Sequence, residues 1–121
     1  MRTRTFLFVA LALVAILTVG CSSSEKTAIT LADFENIGFT KEEEVAYDYQ
    51  GLSESWDGAI TVNGTSQFLE VVIFDNAPDE FNKDQFETLG LIMSVRTGII
   101  RNVMFACHAQ EVCDYVSDKL R

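Results

Sequence analysis

The sequence predicts a small α+β domain, and three observations carry that prediction. Asn63-Gly64 stands between two apolar-rich runs, 56–62 and 66–74. It is the strongest short-range signal of a β-hairpin, because both residues accept positive φ. Two other segments, 31–37 and 110–120, repeat their apolar residues at helical spacing instead. Helical and extended patterns then interleave in the order α-β-β-β-α-β-α, with three meandering strands and a fourth reached across a helix. The expected architecture is a mainly antiparallel sheet of about four strands with helices on one face.

The first helix has its boundaries written into it. Thr30 and Asp33 approximate a capping box, and Ile29 before the cap is placed to pack on Phe34 as a hydrophobic staple. Leu31, Phe34 and Ile37 recur at helical spacing. Gly38 offers a left-handed stop, and Phe39 can fold back on the last turn. Lys41 to Glu44 reads as a charged turn. Val45, Tyr47 and Tyr49 alternate with Ala46, Asp48 and Gln50, the pattern of a strand with one wet face. Gly51 to Ser55 reads as a loop leading into the hairpin. The return strand, 66–74, is nearly continuous in apolar residues, which predicts burial on both of its faces.

Asp75-Asn76-Ala77-Pro78 breaks that strand. Pro78 suits a first helical turn, and Asp79 and Glu80 suit the positive end of a helix dipole. Phe81, Phe86, Leu89 and Met93 supply an apolar stripe, and Gly90 blurs its end. Residues 91–98 fit either a continuing helix or a short strand turning at Thr97-Gly98. Ile99 to Ala106 reads as one strand. Gln110 to Leu120 reads as a terminal helix with Val112, Val116 and Leu120 on one side.

The amino terminus is of a different kind. Arg2 and Arg4 precede an uncharged apolar run, Phe6 to Val19, which is shorter than the roughly 20 residues of a comfortable membrane span. It reads as a cleavable signal segment. Leu17-Thr18-Val19-Gly20-Cys21 resembles the lipobox of bacterial lipoproteins, a resemblance that covers residues 1–21 alone. Leucine is usual three positions before the cysteine in that family; here Thr18 stands there, with Leu17 one step earlier. The resemblance implies that Gly20 precedes the cut and that Cys21 receives a diacylglyceryl group. Its freed amino group would then be acylated. Ser22 resembles the outer-membrane sorting pattern of two-membrane bacteria. The implied division is a signal peptide over 1–20, a lipidated tether over 21–29 and a single domain over 30–121. The implied location is exported and lipid-anchored, on the outer membrane of a two-membrane host or otherwise on the outer face of the cell membrane. Two acyl chains anchor stably where one holds only marginally.

Composition narrows the partners. The chain has 9 lysines and arginines against 18 acids. Removing 1–20 takes away Arg2 and Arg4 and no acid, which leaves 7 against 18 and a formal charge of −11. Such a surface repels phosphate backbones, so nucleic acid is not an expected partner. It also repels anionic headgroups, so the lipid itself must do the anchoring.

The chain holds no nucleophile elbow, phosphate-cradling glycine loop or zinc-protease motif. With Cys21 lipidated, Cys107 and Cys113 remain in an oxidising space, where an even remainder favours a disulfide. Two buried thiols are the other structural reading. A Cys107–His108 dyad is geometrically poor, because adjacent strand residues point to opposite faces. Zinc needs four converging ligands, and Cys107, His108 and Cys113 match no familiar finger, so no metal site is expected. Glu42-Glu43-Glu44 reads as a solvated charge run, and Asn63-Gly64-Thr65 as the hairpin rather than a glycosylation sequon. Trp56 is either a core plug or, beside Gly51, Asp57 and Gly58, a ligand contact on a loop rim.

The resulting expectation is an envelope lipoprotein with a small non-catalytic domain that binds a ligand or an envelope protein, with no cofactor beyond the lipid on Cys21. Two other classes stand beside it: a thiol or redox protein using Cys107 and Cys113, and a phage-type exclusion or inhibitor lipoprotein.

Overall fold

The computed structural model describes residues 28–121. The signal segment, Cys21 and most of the tether lie outside the described residues. The elements are α1 (Leu31–Asn36), β1 (Phe39–Glu44), β2 (Leu52–Val62), β3 (Thr65–Phe74), α2 (Glu80–Met93), β4 (Arg96–Ile100), β5 (Val103–Cys107) and α3 (Gln110–Leu120). The five strands form one antiparallel sheet in the order β1-β2-β3-β5-β4. The α+β class is as the sequence predicts, with one strand more and with helices on both faces rather than one.

The first face carries α1 and α3. Leu69, Val71 and Ile73 of β3 and Val103, Phe105 and Cys107 of β5 are buried there against Val112, Val116 and Leu120 of α3. Phe34 of α1 joins the same core, with the Phe39 ring edge-on at 6.1 Å. The Asp33 carboxylate accepts from the Thr30 backbone N–H at 2.8 Å, which closes one half of the capping box. Gly38, at φ 109°, ends the helix.

The second face carries α2. Phe86 packs on Val72 and Phe74 of β3 and on Met104 and Ala106 of β5. The apolar run of β3 already demanded this layer: a strand buried on both sides needs cover on both sides. The Asp79 side chain caps α2 by accepting from the Asn82 N–H at 2.8 Å. Phe81, predicted as part of the apolar stripe, is 69 % exposed instead. Five residues before Phe86, it is turned well away from that side of the helix.

Strand assignments differ from the sequence reading in several places, and residues 52–55, read as loop, open β2 instead. The first strand is Phe39–Glu44, and its exposed Lys41-Glu42-Glu43-Glu44 run, read as a charged turn, lies on the sheet edge. Charge on an edge strand blocks edge-to-edge pairing. Residues 45–49 are not a strand; they form a strap across the second face. Tyr47 and Tyr49 are half-buried and stacked at 4.8 Å between ring centroids, so the alternation is real without a ladder. Period two reports an extended chain with one covered side, and pairing is a separate matter.

The segment read as one strand over 99–106 is a hairpin, β4–β5, turning at Arg101-Asn102. Arg101 takes φ 50° there. Thr97-Gly98 is no turn. Gly98 lies inside β4 because the Phe105 ring crosses it, and a Cβ there would come within 2.3 Å of that ring.

Candidate functional site

The hairpin turn sets the site. Asn63 and Gly64 take φ 52° and 79°, the left-handed pair of a two-residue turn, and Val62 pairs with Thr65. Five pairs further along, Asp57 of β2 stands opposite Glu70 of β3. Directly opposite residues share a face. Both carboxyls therefore lie on the α2 side of the sheet, where α2 and the tyrosine strap flank them.

A cavity of about 360 Å³ opens beside this pair. Its walls are apolar: Phe68 and Ala106 from the sheet, Phe86, Leu89 and Met93 from α2, and Val95 after it. Met93 belongs to the inward arc of α2 and is still 64 % exposed, because the space below it is open. The polar groups lie on the strap and sheet side. The Tyr47 hydroxyl donates to the Glu70 carboxyl, and the Tyr47 ring meets Phe86 edge-on at 6.4 Å. His108 stands exposed at the rim, its ring 4.8 Å from that of Phe68.

Burial raises the carboxyls of both Asp57 and Glu70 above the ordinary carboxylate range. The Tyr47 hydroxyl lowers Glu70 by donating to it, while the adjoining Asp57 carboxyl raises it. Glu42 and Glu43 also push Asp57 upward through space. Tyr47 is raised far above the ordinary phenol by burial first and by Glu70 next, so its hydroxyl keeps its proton. Asp57 Oδ1 is buried and accepts no hydrogen bond. Chemically, this is an apolar chamber with one acidic wall that carries a spare acceptor.

Other residues singled out in the sequence lie elsewhere. Trp56 is inside β2, not on a loop rim, as are Asp57 and Gly58. It pairs with Val71 and packs on the first-face core, on the opposite side of the sheet from the cavity. Its Nε1 donates to Glu54 at 2.8 Å, and the Lys41 ammonium sits 4.3 Å above its ring. Cys107 and Cys113 are brought to disulfide-bonding distance, with Cα atoms 5.9 Å apart. Cys107 is buried in the first-face core whereas His108 lines the cavity, so these neighbours diverge. Among the described residues, no three histidine, cysteine or acidic side chains converge to hold a metal ion.

Sequence reasoning missed Asp57, Glu70 and Tyr47 as a group. The available signal was Glu70 itself, a lone acid inside the apolar run Phe68-Leu69-Glu70-Val71-Val72. Comparison with protein-family models, with curated proteins and with solved structures finds no match.

Proposed function

We propose that this chain is an exported, lipid-anchored envelope protein whose single domain binds a small ligand without transforming it. The anchor rests on Arg2, Arg4, the apolar run 6–19 and Gly20-Cys21. The observation that carries the binding reading is the cavity between α2 and the sheet. Its volume lies in the range of small-molecule sites, and it joins apolar walls to a few convergent polar groups. Cys107 and Cys113 serve as a structural staple in this reading. Both are buried, and a redox pair must be reached by its partner.

Two methionines remain after processing, and they report the outcome cleanly. Met93 lines the cavity, while Met104 is fully buried in the sheet beside it. The lipid-bearing protein, labelled with ¹³C at methionine methyls and held in phospholipid nanodiscs, is titrated with water-soluble fragments of varied charge. Binding moves the Met93 methyl resonance saturably and moves Met104 less. A Met93 signal that stays still for every fragment up to about 10 mM removes the binding reading, since even weak fragment binding registers at that level. Among the described residues no helix is long and apolar enough to cross a membrane.

A further inference from the structure

Resting on that binding reading, we propose that the cavity is built for an ammonium group: its ligand is a small amine with an aromatic or branched apolar body. The walls select the body. Phe68, Phe86, Leu89 and Val95 offer apolar and aromatic surface with nothing to hydrogen bond. The acidic wall selects the head. Asp57 and Glu70 face one another across β2 and β3, and among the described residues no lysine or arginine lines the cavity, where His108 at the rim is the one basic side chain. The ion pair Lys83–Glu80 lies away from it, on the first turns of α2.

The hydrogen-bond inventory says what is missing. Tyr47 spends its only donor on Glu70. Asp57 Oδ1 is left buried with no donor, a state that proteins seldom leave unanswered. An ammonium brings three donors and a positive charge, which suits two adjoining carboxyls on the cavity wall. A carboxylate ligand would meet like charge there. A neutral alcohol could donate only once. A docked ammonium favours the ionised form of both carboxyls and sits against them.

The test uses three ligands of one shape: 2-phenylethylamine, 2-phenylethanol and 3-phenylpropionate. Each is titrated into the lipid-bearing, methyl-labelled protein in nanodiscs near pH 7, where ordinary carboxyls are ionised and the amine is protonated. The amine is expected to move the Met93 methyl at a concentration about tenfold below that of the alcohol, the effect of one charge-assisted hydrogen bond. Asp57→Asn and Glu70→Gln each bring the amine-to-alcohol ratio close to one. The Met104 methyl shows whether these near-isosteric variants keep the fold. Equal affinity for amine and alcohol in the parent, or tighter binding of 3-phenylpropionate, overturns the ammonium assignment and leaves the binding reading standing. A still Met93 signal with all three ligands overturns both.

Discussion

At the turn between β4 and β5, the Asn102 side chain ties together parts of the chain that are far apart in sequence. Its Oδ1 accepts from the Ile29 N–H at 2.7 Å, and its Nδ2 donates to the carbonyls of Ile29 and Phe74, both at 2.9 Å. Its own carbonyl accepts from Phe74 N–H at 2.8 Å. The side chain is only 4 % exposed, so water cannot replace these partners. Asn102→Ala therefore strands a donor and two acceptors in the interior. A loss of about 3 kcal/mol is expected in denaturant unfolding, given the cost of leaving buried polar groups unpaired. Neighbouring Arg101 holds φ 50° and donates to the Leu120 carbonyl at 2.9 Å, so the turn is also fastened to the end of α3. Arg101 gives no turn signal in sequence although it takes the left-handed conformation, and Asn102, a common turn residue, stands here with no glycine or proline beside it. Gly64 is the opposite case. Its φ of 79° can be read from Asn63-Gly64 alone, and Gly64→Val is expected to cost about 1–3 kcal/mol in the same assay, the strain of a β-branched residue held at positive φ.

Among the elements, those with a local signature were legible and those defined by their partners were not. The cap at Thr30, the stop at Gly38, the 63–64 turn and the whole span of α3 follow from residues within a few positions of each other. β1 and the strap at 45–49 were exchanged, because edge charges and tyrosine alternation say only which side is wet. β4 was hidden because Gly98 is explained by the Phe105 ring, a contact across the ladder. The candidate site divides in the same way. Once the hairpin is accepted, counting back from Val62 and Thr65 places Asp57 against Glu70 with no further information. The cover supplied by α2 and Tyr47 comes from long-range packing that no local pattern encodes. The link from β5 to α3 was legible through its cysteines, which lie six residues apart in sequence. Mass spectrometry of the unreduced exported protein is expected to find it two hydrogens lighter than its dithiol form. Reduction is expected to lower stability by about 2 kcal/mol, the chain-entropy value for so short a loop. Two free thiols in freshly isolated protein would return Cys107 and Cys113 to the role of small buried hydrophobes.

At the scale of the whole molecule, the tether and the charge act together. Ile29 is clamped by Asn102, and only residues 22–28 separate that clamp from the cysteine proposed to carry lipid, a reach of at most about 29 Å. Cys21→Ala is expected to block both acylation and processing, so a variant cleaved to mature size and still sedimenting with membranes would sink the anchor proposal. The acidic wall adds a pH dependence of its own. Burial raises the Asp57 and Glu70 carboxyls, so the folded chain binds more protons than the unfolded chain just above the ordinary carboxylate range. Their contribution is fully present below an unfolded carboxyl pKa of about 4 and is lost as pH rises through the raised folded values. Stability is then expected to fall from weakly acidic toward neutral pH, the reverse of a carboxylate held low by a salt bridge. The net charge of −9 favours the same direction through self-repulsion, so the parent curve alone does not isolate the pair. Tyr47 and Tyr49, raised by burial, stay protonated across this window. His108 at the rim and Glu42 and Glu43 near Asp57 are unchanged between parent and variant. Glu70→Gln therefore isolates the effect. Denaturant midpoints for parent and variant at several pH values between about 4.5 and 7.5 should diverge, with the variant gaining on the parent as pH rises. Two parallel curves would show that the Glu70 carboxyl is not raised in the folded chain.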